Sequence, residues 1–298
     1  MLFEQLLQEC SIPYFVDEPM AKHTSFHIGG QARYFLVPTD EEGLICALRL
    51  VAAQGLRLLV LGRGSNLLVS DEGFDGAVIS TSRLQEVRVG KDGLVYAQCG
   101  AQLRVIANAC ADASLTGFEF AHGIPGTLGG AVRMNAGAYG GEMAQVIKLV
   151  RCYNILTQEV EEYALEQLCF AHRHSLLTER QELLLLSATM QLQHGDEATI
   201  HARMADLKSL RMAAQPLEFP SAGSVFKRPV GYFAGKLIED CGLKGYSIGG
   251  AQLSEKHAGF IINRGGATAA DVSALIAHIK KTVYERFGVM LEQEIISV

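Results

Sequence analysis

Residues 122–143 read HGIPGTLGGAVRMNAGAYGGEM, seven glycines in twenty-two positions with one basic and one acidic side chain. A flexible linker of that glycine content would also carry Ser, Gln or Lys. Here the glycines alternate with Ile, Pro, Leu, Val, Met and Tyr, the composition of a buried or half-buried loop. Such a loop needs glycine where the main chain turns left-handed or where something approaches it closely. A second Gly-rich stretch, GRGSN at 62–66, follows the apolar run LRLLVLG. It is no dinucleotide fingerprint, because Leu67 stands where a third glycine would open a helix. Nor is it a Walker loop, since no Gly-Lys-Ser/Thr follows. Two readings stay open: an ordinary turn, or an anion nest of successive backbone N–H groups with Ser65 and Asn66 beside it. A dinucleotide lying between the two stretches would explain both.

The chain has 298 residues, 49% of them hydrophobic and 19% charged, which is ample for a packed core in one large domain or two ordinary ones. Net charge is −6 and no basic run appears, so nucleic acid is a poor partner. The opening MLFEQLLQECSIPYF lacks the basic and small-residue marks of a secretory signal. No apolar stretch reaches the ~18 residues of a membrane span. Cys10, Cys46, Cys99, Cys110, Cys152, Cys169 and Cys241 are scattered without a CxxC pair, which indicates buried free thiols and neither zinc nor a disulfide framework. A cytoplasmic protein with no membrane partner and no metal is expected.

Along the chain an N-terminal helix comes first. HTSFHIGGQARYFLVP (23–38) then reads as strand, Gly-Gly turn, strand. Thr39 with Glu42 has the form of a capping box, opening a helix with Leu44, Ala47, Leu48 and Val51 on one face. Short strands are expected at LRLLVLG, GAVIST, EVRVG and LVYAQCG, then a helix aligning Leu103, Ile106, Ala107 and Cys110. Beyond the Gly-rich block, VIKLVRCYNI, EVEEYA and LLLLSATMQL are strands. The apolar pattern breaks at HGDEAT (194–199), which places the expected domains at 1–195 and 196–298. The second part holds AGKLIEDCG, a short helix ended by Gly242. A long helix follows, capped by Thr268 and Asp271, with Val272, Leu275, Ile276, Ile279, Val283 and Phe287 on one face and Gly288 just past its end. VMLEQEIISV closes the chain as a strand. The fold class is α+β in two parts.

Three further stretches carry candidate chemistry. In PSAGSVFKRP (220–229), Ser224 follows Gly223, and Lys227 and Arg228 come just after. It lacks a nucleophile elbow, since Phe226 occupies the place of the second glycine. A Ser beside a Gly is most often a turn former, but the Lys-Arg pair suits substrate phosphates. In FAHRHS (170–175), a strand would put His172 and His174 on one face and Arg173 on the other. Two His without a carboxylate make no metal site. Glu294, among apolar residues in LEQEII, is either an edge-strand charge or a titratable group aimed into a cleft.

Taken together, HTSFHIGG, LGRGSNLLVSDEGFDG, GFEFAHGIPGTLGGAVRMNAGAYGGE, AHRHS, PSAGSVFKRP, AGKLIEDCGLKG, GAQLSEKHAGFIIN and LEQEI occur in one order over nearly the whole chain. In this the chain closely resembles the UDP-N-acetylenolpyruvoylglucosamine reductase (MurB) family of flavoenzymes. The resemblance implies an FAD-binding domain of the vanillyl-alcohol-oxidase (PCMH) type followed by a smaller α+β substrate-binding domain. It implies that Gly62, Arg63, Gly64, Ser65 and Asn66, with Gly123, Ile124, Pro125, Gly126, Gly130 and Asn135, hold FAD, and that a side chain at those glycines would occupy cofactor space. NADPH is the implied hydride donor, and the implied acceptor is a UDP-linked enolpyruvyl sugar in peptidoglycan precursor synthesis. The implied catalytic residues are Arg173 and Glu294, polarising the enolpyruvyl carboxylate, and Ser224, protonating the carbanionic carbon. Lys227 and Arg228 fall near the UDP phosphates. The enzyme is expected to be a cytoplasmic monomer. The family pattern has Tyr before the arginine where this chain has His172, and the short run after AHRHS fits the class lacking an extra loop. An FAD oxidase of an alcohol or sugar lactone would share the Gly-rich loops without requiring Ser224 or Glu294. A non-catalytic nucleotide-binding protein would leave Arg173, Ser224 and Glu294 free to vary.

Overall fold

The computed structural model describes residues 3–298. Its contacts divide the chain into two compact units that interleave along the sequence. Unit 1 takes the chain up to Phe15, then Tyr34–Gly62 and Gly76–Leu210; unit 2 takes Val16–Arg33, Arg63–Asp75 and Arg211–Val298. The expected cut at 195/196 falls inside the last segment of unit 1, and the GRGSN stretch is shared, with Gly62 in unit 1 and 63–66 in unit 2.

Unit 1 is built on a five-stranded sheet in the order Glu159–Ala164, Ile147–Asn154, Leu183–Gln191, Leu94–Gln98, Val87–Val89, every pair antiparallel. The middle strand LLLLSATMQ is buried along most of its length, as a continuous apolar run requires. Leu58–Leu61 and Phe74–Ser80 pair in parallel, Leu58 against Ala77 and Leu61 against Ser80. Helix Leu103–Asp112 buries Leu103, Ile106, Ala107 and Cys110, as its periodicity requires. Helix Glu41–Ala53 buries Leu44, Ala47, Leu48 and Val51, but its cap is Asp40 and not Thr39. Asp40 Oδ1 accepts from Gly43 N at 2.8 Å, while Thr39 Oγ1 only donates to the Asp40 carboxylate. At a helix N-terminus the charged acceptor wins over the hydroxyl.

Unit 2 is organised by helix Ala269–Phe287. Thr268 Oγ1 accepts from Asp271 N at 3.0 Å and Asp271 Oδ2 accepts from Thr268 N at 3.1 Å, the expected capping box. Gly288 ends the helix at φ +66°, donating to Tyr284 O at 2.8 Å. Val272, Leu275, Ile276, Ile279 and Val283 are buried against Phe26, Val225, Phe226, Leu253 and Ile261, whereas Phe287, at the last helical position, is exposed. A small antiparallel sheet, Ser247–Ile248, Ala251–Leu253, Ile261–Asn263, packs in the same core.

Several expectations fail for identifiable reasons. Residues 23–30 form no strand; the strand is Gln31–Leu36. Thr24 Oγ1 donates to Ile28 O at 2.9 Å and His27 takes φ +55°, so local side-chain bonds replace a ladder. The terminal segment is strand only at Ile296–Ser297, paired in parallel with Leu67–Leu68. Helix Glu197–Ala214 went unread because Ile200, Met204 and Leu207 are its only buried residues. Only Cys99, Cys110 and Cys152 are buried thiols; Cys10, Cys46 and Cys241 are half-buried and Cys169 is exposed. Burial pushes Cys99, Cys110 and Cys152 up to about 12.

Candidate active site

In unit 1 the Gly-rich block folds as a pinned loop. Gly126 O accepts from Leu103 N at 3.1 Å, Leu128 N donates to Ala101 O at 2.9 Å and Gly129 N donates to Cys99 O at 2.8 Å. These bonds tie residues 126–129 to the main chain at the start of helix Leu103–Asp112, leaving Pro125 exposed. Thr127 is buried, and its hydroxyl lies 2.2 Å from where a Cβ on Gly62 would stand. A side chain at Gly62 is therefore opposed by the contact between the two Gly-rich stretches. Gly64 in unit 2 is likewise fixed by the protein: φ is +59° and a Cβ would come within 2.3 Å of His23 O. Gly130 differs, because a Cβ there would meet nothing within 4 Å.

His122 stands immediately before this loop. Its Nδ1 is shielded from solvent and makes no hydrogen bond among the described residues. Burial, with Lys208 and Arg104 positive nearby, holds its ring below the ordinary histidine range, so it is neutral near pH 7. An orphaned ring nitrogen next to a pinned loop, with open space at Gly130, fits the polar and close-approach needs of FAD. His122 is not among the residues that the resemblance marked, although it stands beside Gly123.

Arg173 does not lie on a strand. Ala171 N and His174 O, and His174 N and Ala171 O, bond at 3.1 Å each, closing a tight turn with His172 and Arg173 at its tip. Arg173 takes φ +56° and is half-buried. Asn135 Nδ2 donates to Ala171 O at 3.0 Å, so the arginine turn is tied to the Gly-rich block.

In unit 2 three segments converge through main-chain bonds. Val225 N donates to Gly259 O at 2.9 Å, Glu294 N to Val225 O at 2.8 Å and Lys227 N to Glu292 O at 2.9 Å. Ser224 itself bridges Phe260, and Phe226 bridges Gln293. The strand-like stretch 224–227 thus runs between 259–260 and 292–294, with Glu294 in register beside the residue after Ser224. Asn66 Nδ2 donates to Glu294 O at 3.2 Å and Ile296 N donates to Asn66 O at 2.9 Å, which draws the GRGSN loop to the same place. Ser25, missed by the sequence analysis, joins loop and strand: its N donates to Gly64 O at 3.2 Å and its Oγ to Ser221 O at 2.6 Å. Both cations expected at phosphates are engaged. Lys227 pairs with Glu292, and the Arg228 guanidinium lies 3.9 Å over the Phe233 ring.

Among the described residues no group of three or more His, Cys, Asp or Glu could hold a metal ion, and no helix is long and apolar enough to cross a membrane.

Comparison with known proteins bears on these parts. A family model of the UDP-N-acetylenolpyruvoylglucosamine reductase C-terminal domain matches residues 215–298, and one of an FAD-binding domain matches 32–158. The UDP-N-acetylenolpyruvoylglucosamine reductase of Caldicellulosiruptor saccharolyticus is 45% identical over 299 residues, covering 99% of this chain and 95% of its own. That of Caldanaerobacter subterraneus is 48% identical over 296 residues, covering 98% and 95%. The crystal structure of the Thermus caldophilus enzyme superposes with a TM-score of 0.80 at 33% identity, covering 96% of this chain and 98% of that one. A Physcomitrella patens BBE-like protein shares the fold over 65% of this chain and 45% of its own, with a TM-score of 0.50 at 14% identity. The α+β architecture, with a PCMH-type FAD-binding part followed by a reductase C-terminal domain, is thereby established. The chain belongs to the UDP-N-acetylenolpyruvoylglucosamine reductases, a family of FAD-binding oxidoreductases.

Proposed function

We propose that this chain reduces UDP-N-acetylglucosamine enolpyruvate to UDP-N-acetylmuramate with NADPH as hydride donor, as a monomeric cytoplasmic enzyme of peptidoglycan precursor synthesis. The observation that carries the reading is the 45% identity over 99% of the chain to a reductase so named. Bound FAD supplies the hydride relay between NADPH and the vinyl carbon of the enolpyruvyl ether. Residues 123–126, Gly130 and His122, all in unit 1, are groups proposed to hold it.

Addition of hydride to the vinyl carbon pushes charge onto the neighbouring carbon and its carboxylate. A site for that step needs fixed donors or positive charge at the developing anion and one proton donor. The Arg173 guanidinium holds the carboxylate and withdraws charge from it. Glu294 orients that end of the substrate, and Ser224 Oγ gives its proton to the carbanionic carbon. A serine hydroxyl is a weak acid in water, but an enolate-like acceptor in a dry site is basic enough to take its proton. Lys227 and Arg228 meet the UDP phosphates, which requires Lys227 to exchange Glu292 for phosphate.

An anaerobic visible spectrum tests the whole scheme in one cuvette. Flavin bands are expected to bleach with NADPH and return on adding the UDP-linked enolpyruvate. Bands that stay bleached would assign the enzyme another acceptor, and FAD-supplemented protein with no bound flavin would overturn the cofactor site.

A further inference from the structure

The Arg173 turn is held from outside by two buried polar side chains. Asn135 is 1% exposed; its Nδ2 donates to Ala171 O at 3.0 Å and its Oδ1 accepts from Ala144 N at 3.0 Å. Ser175, at 0% exposure, donates from Oγ to Arg133 O at 2.7 Å and accepts from Leu177 N at 3.2 Å. Both ends of the turn are therefore tied to residues 133–144. Arg173 at φ +56° is in a conformation that a residue with a side chain keeps only where its surroundings hold it. Both ends of the Asn135 amide are engaged by main chain.

We propose that Asn135 is a positioning residue for Arg173 and not a ligand of FAD. Its amide locks the carbonyl two residues before Arg173 and so fixes where the guanidinium projects. This rests on the role given to Arg173 under Proposed function. A misplacement of the order of an ångström at such a group costs about 10²-fold in rate. Asn135→Ala and Asn135→Asp, the latter keeping shape and the acceptor but losing the donor, are expected to slow reoxidation of reduced enzyme by the UDP-linked enolpyruvate about 10²-fold. Flavin content and the rate of reduction by NADPH stay near wild type. In an Arg173→Ala background, Asn135→Asp is expected to slow reoxidation no further, because the two act as a unit. An additive loss in the double variant, or loss of flavin with normal reoxidation per bound flavin, would overturn the positioning role alone. Full reoxidation in Arg173→Ala would instead overturn the role of Arg173, and the positioning role with it.

A separate pair of groups lies near the amino end of unit 1. Cys10 closes helix Phe3–Glu9, its N donating to Leu6 O at 3.1 Å, and Cys46 sits within helix Glu41–Ala53. Their Sγ atoms are 2.6 Å apart, and both residues are half-buried. We infer that Cys10 and Cys46 form an oxidisable pair that hydrogen peroxide converts to a disulfide. The Cys46 thiol donates to Cys10 Sγ, and burial and the neighbouring Cys10 push it up to about 11, so Cys10 is the sulfur that takes the oxygen first. Cys10 Sγ attacks the peroxide O–O bond, giving a sulfenic acid and water. Cys46 Sγ then displaces the sulfenic oxygen as a second water, leaving the S–S bond. The bond staples a seven-residue helix, too short to persist alone, onto helix Glu41–Ala53. Hydrogen peroxide on the purified holoenzyme is expected to yield one linked peptide containing both cysteines and a Tm raised by about 5 °C. Both changes should vanish in Cys10→Ser. Cys10 and Cys46 still alkylatable after the exposed Cys169 has been oxidised would overturn the pair.

Discussion

Arg173 and Ser224 are placed by opposite means. In unit 2 the stretch around Ser224 is held by main-chain bonds on both sides, donating to Gly259 on one and donating to Glu292 and accepting from Glu294 on the other. In unit 1 the turn bearing Arg173 closes on its own Ala171–His174 main-chain pair, but the side chains of Asn135 and Ser175 tie it to residues 133–144, and a left-handed residue stands at its tip. A main-chain ladder does not depend on which side chain it carries, so function can be removed there without loss of fold. A turn fixed by side chains couples function to a few distant positions.

The largest expected effect sharpens that contrast. Ser224→Ala should lower the rate of reoxidation by the UDP-linked enolpyruvate by about 10²–10⁴-fold, the usual worth of a proton donor. Reduction by NADPH and the melting temperature should stay near wild type. Stopped-flow traces with both half-reactions equally slowed would reject the proton-donor role. Next in size is a pair of glycines within unit 1. Gly62→Ala drives a methyl into the Thr127 hydroxyl and should destabilise by about 1–3 kcal/mol in denaturant titration. Gly130→Ala meets no protein atom within 4 Å, so its stability should hold while FAD affinity falls. Equal stability losses at both positions would erase the distinction between a glycine needed by the fold and one needed by the cofactor.

Much of this was legible in the sequence where several local signals agree. Thr268, Asp271, the buried face from Val272 to Val283 and Gly288 all specify one helix, and it forms as read. The end of the chain failed because its partners are remote: Ile296–Ser297 pairs with Leu67–Leu68, more than two hundred residues away. No propensity within VMLEQEIISV encodes that. The candidate site divides the same way. The order of motifs marked Arg173, Ser224 and Glu294, but alternation in FAHRHS suggested a strand where a left-handed turn stands. The hydrogen bond from Asn135 to Ala171 joins residues thirty-six positions apart, so neither motif by itself announces it.

The backbone strain at Arg173 can be measured directly. In most settings Ala is more stable than Gly by ~0.5–1 kcal/mol, because Gly loses more chain freedom on folding. At φ +56° the order should invert, with Arg173→Gly more stable than Arg173→Ala by about 1 kcal/mol. At Ser224, where the chain is extended between two neighbours, Ser224→Ala should remain more stable than Ser224→Gly. Urea titration of the four variants reads both differences, and the same order at both sites would show that the turn carries no strain.

The smallest effect concerns the helix that organises unit 2. The backbone N–H groups of Thr268 and Gly250 hold the Asp271 carboxyl below the ordinary aspartate range. A carboxyl whose folded pKa is depressed adds stability above its unfolded value, near 3.9, and loses it as the pH falls through the folded value. Asp271→Asn should therefore cost about 0.5–1 kcal/mol near neutrality, the usual worth of a helix-terminal acceptor. The gap in melting temperature between wild type and variant should narrow as the pH drops below about 4. A gap that stayed constant through that range would mean that the charge of the carboxylate adds nothing to the capping box. The hold on this helix would then be one of hydrogen-bond geometry alone, like the ladder around Ser224, with no contribution from charge.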